Sequence, residues 1–407
     1  MTAMACGGGT STVEPPPPPP PAGFRVTLVP DPEDAASAQA LAWTAGIPSA
    51  EVILSPTDGS APPRTAQSSS AGVADFGTVP GGTYYLEVYR WLSAAEAAQV
   101  PAALGVTGWA TRRQVSVPTG GASTTVQVPS SSRRSLVISE WAFNPGWDPI
   151  AQMDYQYGGY LKLYNNADTT VYLDGIVVGE GFGLSYEYAN WPCAVYTPIA
   201  LDPAGIWSRF FQKFPGSGRE YPLQPGGTVI VATDAIDHRP FFPKAVDLRI
   251  ADFEFTGVAD VDNPAVPNMV DIGVQTHPFG GNIFPGLAEV PFVSLPVDVA
   301  TLAVQKNPGA LFPTDWGRIP ANRILDVVSL APNYAGSTNA ECPLLITPNF
   351  DRASSRAREA GEKPIEFEFG VQRRAAYTLP GGRKVLQHSR TGFADFIRAR
   401  RSLDPGL

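Results

Sequence analysis

The stretch from residue 136 to residue 178 limits the fold of this chain more than any other segment. Its side chains alternate with a period of two in three short runs: 136–140, 160–164 and 171–173. Successive side chains of a β-strand point to opposite faces, so this alternation predicts three strands. The residues between and after these runs, Asn165 to Asp168 and Asp174-Gly175, are typical turn formers. The stretch therefore predicts the opening of a β-sheet domain.

Composition extends this expectation to the whole chain. With 407 residues the chain is too long for a single core, so we expect two or three domains. It has 40 glycines and 42 prolines, and only 16% of its residues are charged. This composition favours short strands and many turns over long helices. No apolar run approaches the length of about 18 residues that a membrane span needs. We therefore expect an all-β protein.

Residues 24–129 are expected to form a first β-sandwich. The sequence AEVIL…AGVADFGTVPGGTYYLEV sets strand-like runs between Gly and Pro turns. It resembles the carboxypeptidase-regulatory or transthyretin-like sandwich, whose members are seldom enzymes. Ser93 and Glu96 have the spacing of a capping box, which predicts one short helix between Leu92 and Val100. Residues 130–134, with the sequence SSSRR, are expected to be a linker.

Residues 135–400 are expected to form a second sandwich with large insertions. Its opening, LVISE and then GGYLKLYNNADTTVYLDG, resembles a lamin-tail-type immunoglobulin-like sandwich. That module usually binds, displays or spaces rather than catalyses. The segment from Ile206 to Phe211 fits a helix or a strand, and the closing piece, residues 365–387, is expected to return to the same sheet. The predicted fold is thus all-β, with two tandem immunoglobulin-like sandwiches.

Residues 1–23 have the features of a targeting signal followed by a tether, and they are expected to be disordered. Small residues precede Cys6, as at the end of a bacterial lipoprotein signal, where the cysteine is acylated. The run from Pro15 to Pro21 predicts a stiff spacer of about 3 Å per residue. The resemblance implies a lipid anchor in the bacterial outer membrane, on its periplasmic or its outer side. Only five residues precede Cys6. Either the natural start lies upstream of Met1, or Cys6 is an ordinary cysteine in a disordered tail.

The other two cysteines, Cys193 and Cys342, lie in loops flanked by proline. In an oxidising envelope compartment two such cysteines can pair as a disulfide, which is one of two interpretations. Two separate buried thiols are the alternative, because distance along the sequence does not show that two Cα atoms lie close together.

Charge limits the classes of partner. The net charge is −9, which argues against general nucleic-acid binding. From Asp351 onward, however, there are 12 Lys and Arg residues against 7 Asp and Glu residues. We expect this basic C-terminal part to be a solvated face, with an interaction patch as the alternative.

One cluster of polar residues is a candidate metal-binding or catalytic site. It comprises Asp234, Asp237, His238, Asp252, Glu254, Asp260, Asp262 and Asn263. Within it Asp260, Asp262 and Asn263 offer the oxygen ligands that Ca²⁺ prefers, and no other cofactor is expected. The same residues are good turn formers, and the spacing of an EF-hand loop is missing. A pocket holding His238 beside Asp252 or Asp262 would instead favour a hydrolase, while dispersal of these residues over turns would favour a binding module.

Aromatic residues cluster on two neighbouring segments. The candidate ligand-binding residues among them are Trp141, Trp147, Tyr155, Tyr157, Tyr186 and Tyr188. Rings on loops stack on sugar faces and anchor protein interfaces. In a sandwich they also fill the space between the sheets.

Several motifs together resemble an uncharacterised family of bacterial envelope lipoproteins, a domain of unknown function. They include LVISE, LQPGGTVIVATDAIDH, DVDNPAVPN and VQRR…GRKVLQHSRTGFADF. The resemblance covers roughly residues 24–400 and implies an extracytoplasmic lipoprotein with two β-domains. We therefore expect a non-enzymatic envelope lipoprotein that binds an outer-membrane protein, such as a transporter, or a glycan. An envelope hydrolase and a purely structural surface protein are the alternatives.

Overall fold

The computed structural model describes residues 23–101, 105–133, 135–142, 146–148, 153–155, 158–181, 198–241, 245–257, 261–274, 290–306, 315–331, 355–356, 369–379, 381–400 and 403. Strands in several sheets make up most of the regular structure of these residues. The expectation of an all-β fold is therefore confirmed. No helix in these ranges has the length and apolar content needed to cross a lipid bilayer.

Residues 25–132 form two facing sheets. Their strands are β1 (Arg25–Pro30), β2 (Glu51–Pro56), β3 (Arg64–Gln67), β4 (Val73–Asp75), β5 (Gly82–Trp91), β6 (Val106–Val117), β7 (Ser123–Val128) and β8 (Ser130–Ser132). Within the described residues one sheet has the order β4-β1-β7 and the other β3-β2-β5-β6-β8. Alternate residues such as Val26, Val52 and Leu86 are fully buried in the core between the sheets. The short helices here are α1 (Ala35–Ala40), α2 (Ala94–Ala97) and a 3₁₀ turn at Pro32–Asp34.

Two local predictions for this part have different outcomes. The capping box is confirmed, because the Ser93 N–H donates to Glu96 Oε2 at 2.8 Å and the Glu96 N–H donates to Ser93 Oγ at 3.3 Å. The predicted linker is wrong, because β8 pairs with β6 at the edge of the five-stranded sheet. The serines of β8 lack apolar alternation, so only the pairing of their backbone reveals the strand.

Two larger sheets follow. Their strands, and those of the four two-stranded ladders among the described residues, are β9 (Leu136–Ala142), β10 (Gly146–Asp148), β11 (Met153–Tyr155), β12 (Tyr160–Asn165), β13 (Val171–Tyr172), β14 (Val177–Gly181), β15 (Gly205–Lys213), β16 (Pro222–Leu223), β17 (Thr228–Ala232), β18 (Phe253–Glu254), β19 (Val270–Asp271), β20 (Pro291–Ser294), β21 (Ala303–Lys306), β22 (Asp315–Pro320), β23 (Ile324–Val327), β24 (Leu330–Ala331), β25 (Ser355–Arg356), β26 (Phe369–Arg373), β27 (Ala375–Thr378), β28 (Lys384–Leu386) and β29 (Phe396–Arg400). This part also contains helix α3 (Gly392–Asp395) and 3₁₀ turns at Val299–Thr301 and Ala321–Arg323.

Within the described residues the first of these sheets has the order β18-β17-β12-β9-β26-β29. The second has the order β21-β22-β15-β14-β20-β23, with β19 beside β15. The main core lies between the two sheets: Leu161 and Val231 come from the first, and Val178 and Val293 from the second. The predicted return of the closing piece to the first sheet is confirmed for β26, which pairs with β9. It is wrong for β28, because β27 and β28 form a separate ladder.

Four arginines of the basic C-terminal part form ion pairs, where a solvated face was expected. Arg373 is buried and binds Asp326, with Nη2 to Oδ2 at 2.6 Å. Three other arginines of this part form ion pairs with acidic residues earlier in the chain: Arg374 with Glu87, Arg383 with Asp168 and Arg390 with Glu33. These positive charges therefore join distant parts of the acidic chain.

Candidate functional site

The described residues among those predicted to bind Ca²⁺ make hydrogen bonds to neighbouring loop residues. Asp262 Oδ1 accepts a hydrogen bond from Asn268 Nδ2 at 2.9 Å. Asn263 Nδ2 donates to the carbonyl of Ala235 at 2.8 Å. Asp260 lies outside the described residues. Within those that are described, no group of three His, Cys, Asp or Glu side chains is placed to hold a metal ion.

The residues of the hydrolase alternative are also engaged in backbone hydrogen bonds. His238 is fully buried, and its Nε2 lies 2.9 Å from the carbonyl of Asp234. Asp252 Oδ2 accepts the N–H of Ile230 at 2.8 Å. Glu254 accepts two backbone N–H groups, both at 2.9 Å. Burial raises the pKa of the Asp252 carboxyl and that of the Glu254 carboxyl.

The predicted aromatic platform is described only in part. Trp141 is only 2% exposed and packs in the main core, so its assignment to a ligand-binding surface is wrong. Trp147 and Tyr155 belong to the paired strands β10 and β11. The side chains of these two residues, and all of Tyr157, Tyr186 and Tyr188, lie outside the described residues. Cys6, Cys193 and Cys342 also lie outside them.

A different aromatic face was missed by sequence reasoning. Strands β15 and β22 pair with Trp207 opposite Arg318 and Ser208 opposite Gly317. Because side chains of a strand alternate, one face of this pair carries Trp207, Trp316 and Arg318. Arg209 lies on the same face, because its guanidinium group contacts the Trp316 ring. We call these four residues the Trp–Arg quartet. Their sequence signal is the triplet Trp-x-Arg, which occurs at 207–209 and again at 316–318.

Contacts between rings and guanidinium groups hold the quartet together. The Arg209 guanidinium carbon lies 5.6 Å from the centre of the Trp316 ring, and that of Arg318 lies 5.5 Å from the Trp207 ring. Asp202 fixes one side, because its Oδ2 accepts Trp207 Nε1 at 2.9 Å and Arg318 Nη1 at 3.1 Å. The two tryptophan rings are buried, while both arginines are half-buried. The guanidinium groups of the two arginines therefore reach the surface, and the two buried tryptophan rings lie beneath them.

Arg209 differs from Arg318 because its charge is not paired. Its guanidinium carbon lies 4.3 Å from the ring centre of Phe210 in addition to its contact with Trp316. Within the described residues it forms no hydrogen bond or ion pair through its side chain. Two rings thus position the guanidinium group while its N–H donors stay available.

Glu180 of β14 lies next to Arg209 at a β-bulge. In the β14–β15 ladder Glu180 is opposite Phe210 and Gly181 is opposite Ser208, so Arg209 is the extra residue. The Glu180 Oε2 atom is buried and has no hydrogen-bond partner among the described residues. Burial raises the pKa of the Glu180 carboxyl to about 8, although the positive charge of Arg209 acts to lower it. This raised pKa favours the protonated form of the Glu180 carboxyl at neutral pH.

These features define the protein as an all-β chain with two facing-sheet units and an arginine- and tryptophan-bearing face on the second. Residues 224–402 match the model of a family described as "Protein of unknown function (DUF4876)". The crystal structure of a DUF4876 family protein from Bacteroides thetaiotaomicron has the same fold. It is 17% identical, the match covers 93% of this chain and 95% of that chain, and the TM-score is 0.50. No curated protein matches the chain.

Proposed function

We propose that this protein is a non-catalytic binding or accessory module of the bacterial cell envelope, and that the Trp–Arg quartet is its partner-binding face. The observation that carries the proposal is Arg209, whose guanidinium group is positioned by two rings and, within the described residues, donates no hydrogen bond. Tryptophan and arginine are the side chains that most often dominate the energy of protein interfaces. Cys6 is the proposed site of the lipid anchor, and the proline run is its tether to the outer membrane.

The residues of the polar cluster support a binding role over a hydrolytic one. A hydrolase needs an acid or base that can reach its substrate, in a cleft with the partner residues. Asp252 and Glu254 instead accept backbone N–H groups, and His238 contacts a backbone carbonyl. Through these contacts the polar side chains stabilise the loops that follow β17.

We propose an outer-membrane protein, with a transporter as the first class to test, as the partner, and an envelope glycan as the second. Both kinds of partner present polar and aromatic groups outside the lipid, and a face of arginine and tryptophan side chains can bind either kind. The acidic balance of the chain, with a net charge of −9, speaks against nucleic acid.

The test combines cell fractionation with capture of the partner from the envelope. The full-length wild type is expected in the outer-membrane fraction, and Cys6→Ala is expected in the soluble fraction. After cross-linking in cells, the wild type is expected to retain a partner that Arg209→Met loses. Arg219→Met is the matched control, because Arg219 also lies over a ring, that of Tyr172, but belongs to a separate turn after β15.

Three results would contradict the proposal. Equal recovery of partners by wild type and Arg209→Met would show that the quartet is not the binding face. Hydrolysis of envelope substrates by the purified protein, lost on His238→Gln, would favour the hydrolase instead. A lack of any envelope partner with all variants would favour a purely structural surface protein.

A further inference from the structure

We propose that Glu180 and Arg209 together bind a carboxylate group of the partner. This inference rests on the proposed binding function and names the chemistry that the quartet recognises. The carboxylate would accept from the Arg209 guanidinium on one side and from the protonated Glu180 carboxyl on the other. No covalent step is involved.

Arg209 supplies the charge and the geometry. A guanidinium group is a planar fork of donors that matches the two oxygens of a carboxylate. In Arg209 this fork rests on Phe210 and Trp316 and, within the described residues, has no acceptor. An arginine that served only to fill the fold would be expected to pair, as Arg318 pairs with Asp202.

The buried Glu180 carboxyl is a second, independent observation that supports a carboxylate-binding site. A buried polar atom without a partner is destabilising, so natural structures rarely keep one without a role. The other groups around Glu180 leave its Oε2 unused, since Ser208 Oγ donates to the backbone carbonyl of Glu180 and not to the carboxyl. A protonated carboxyl donates a short, strong hydrogen bond to an anionic oxygen.

The charges around the site select an anion. Among the described residues Arg209 is the one charged group that acts on the pKa of Glu180. With Glu180 protonated, the pair carries one positive charge, and the carboxylate of Asp202, which also contacts the quartet, is held by Arg318 and Trp207. A bound carboxylate would neutralise Arg209 and further favour the protonated form of Glu180. A cation would be repelled by Arg209.

Carboxylates of an envelope partner have two sources, an acidic sugar and the C-terminus of a polypeptide. Each can be probed separately with the full-length protein by NMR or calorimetric titration. D-glucuronate, with neutral D-glucose as its control, represents the sugar. N-acetyl-L-leucine, with its amide as the control, represents the C-terminus. We expect one of the two acids to bind at about pH 7 and its neutral control not to bind.

Variants assign the binding to the two residues. Arg209→Met, which keeps the length of the side chain, is expected to weaken binding at least about tenfold, while Arg219→Met leaves it unchanged. Glu180→Gln keeps a neutral hydrogen-bond donor and is expected to bind at about pH 7. Melting curves of the three variants are to be measured as a check that each variant is folded.

The dependence on pH separates this site from an ordinary surface arginine. The wild type is expected to lose affinity about tenfold for each pH unit above a pKa of about 8, because only the protonated carboxyl donates. Glu180→Gln cannot ionise, so its affinity is expected to stay constant over the same range.

Several results would overturn the inference. They are no binding of either acid at about 10 mM, equal binding by wild type and Arg209→Met, or wild-type affinity that does not change between about pH 7 and about pH 9. If one of these occurs while partner capture still depends on Arg209, the carboxylate assignment fails and the proposed function stands. If an acid binds as expected but no envelope partner is captured, the proposed function fails instead.

Discussion

The buried ion pair between Asp326 and Arg373 is the contact whose loss should destabilise the fold most clearly. Both side chains are 1% exposed. Asp326 Oδ2 accepts Arg373 Nη2 at 2.6 Å and the N–H of Ile138 at 2.7 Å. Its Oδ1 lies 3.2 Å from His388 Nε2. The pair therefore joins β23, β26 and β9, which come from both large sheets.

Asp326→Asn keeps the shape of the side chain but removes its charge. Arg373 would then keep Asp395, at 3.5 Å, and backbone carbonyls as acceptors. Breaking a buried ion pair by removing one charge typically costs about 3–5 kcal/mol, because the other charge stays buried. Since one weak carboxylate contact remains, we expect a loss of about 3 kcal/mol in the free energy of unfolding.

Urea unfolding of the wild type and two variants measures this loss. The matched control is Asp168→Asn, because Asp168 is 65% exposed yet also contacts two arginines, Arg133 and Arg383. An exposed pair of this kind contributes about 0–1 kcal/mol. If Asp326→Asn lowers the free energy of unfolding no more than the control does, burial does not make this pair important, and the reasoning is refuted.

The same pair predicts a dependence of stability on pH. Burial alone would raise the pKa of the Asp326 carboxyl, but Arg373 and the hydrogen bonds from His388 and Ile138 outweigh it and hold the pKa below its usual value. A lowered pKa in the folded state gives stability that is present above the unfolded pKa of about 3.9 and lost as the pH falls through the folded value. Asp326→Asn is expected to remove this acid-dependent loss.

The remaining predictions concern a glycine, a helix cap and the predicted Ca²⁺ residues. Gly72→Ala should destabilise by more than about 1 kcal/mol in urea unfolding, because its φ is +77° and a Cβ would lie 2.7 Å from the carbonyl oxygen of Leu28. Gly120→Ala has space around the new atom and tests the contribution of backbone strain (φ +98°) alone. Ser93→Ala should cost about 1 kcal/mol through the lost cap, and a loss near zero would argue against the capping box in solution. Ca²⁺ and chelators should leave the melting temperature unchanged, since Asp262 already accepts a side-chain hydrogen bond; a rise with Ca²⁺ would contradict this.

Strands whose side chains alternate with a period of two could be predicted from the sequence, because successive side chains of a strand point to opposite faces. Leu161 and Leu163 point into the core, and the residues between and beside them point away, as a period of two requires. The alternation does not tell whether the other face meets water. Glu140 and Lys162, which point away from the core, are nevertheless fully buried. Additional chain covers this face: Leu248 packs there, against Tyr160.

The candidate site could not be predicted for a related reason. Trp207 and Trp316 are more than 100 residues apart, and only the pairing of β15 with β22 brings them onto one face. The segment around Trp207 fitted a helix or a strand, so no face could be assigned to its arginine. The bulge that sets Glu180 beside Arg209 depends on the register of two strands, which sequence alone does not give.

The central claim is that the Trp–Arg quartet is a binding face, and photo-cross-linking in cells tests it most directly. A photoreactive amino acid replaces Arg318, which is 33% exposed on this face, or Arg219, which lies on a separate turn. We predict a discrete adduct of higher mass with an envelope partner from position 318 and none from position 219. No adduct from position 318, or the same adducts from both positions, would contradict the account.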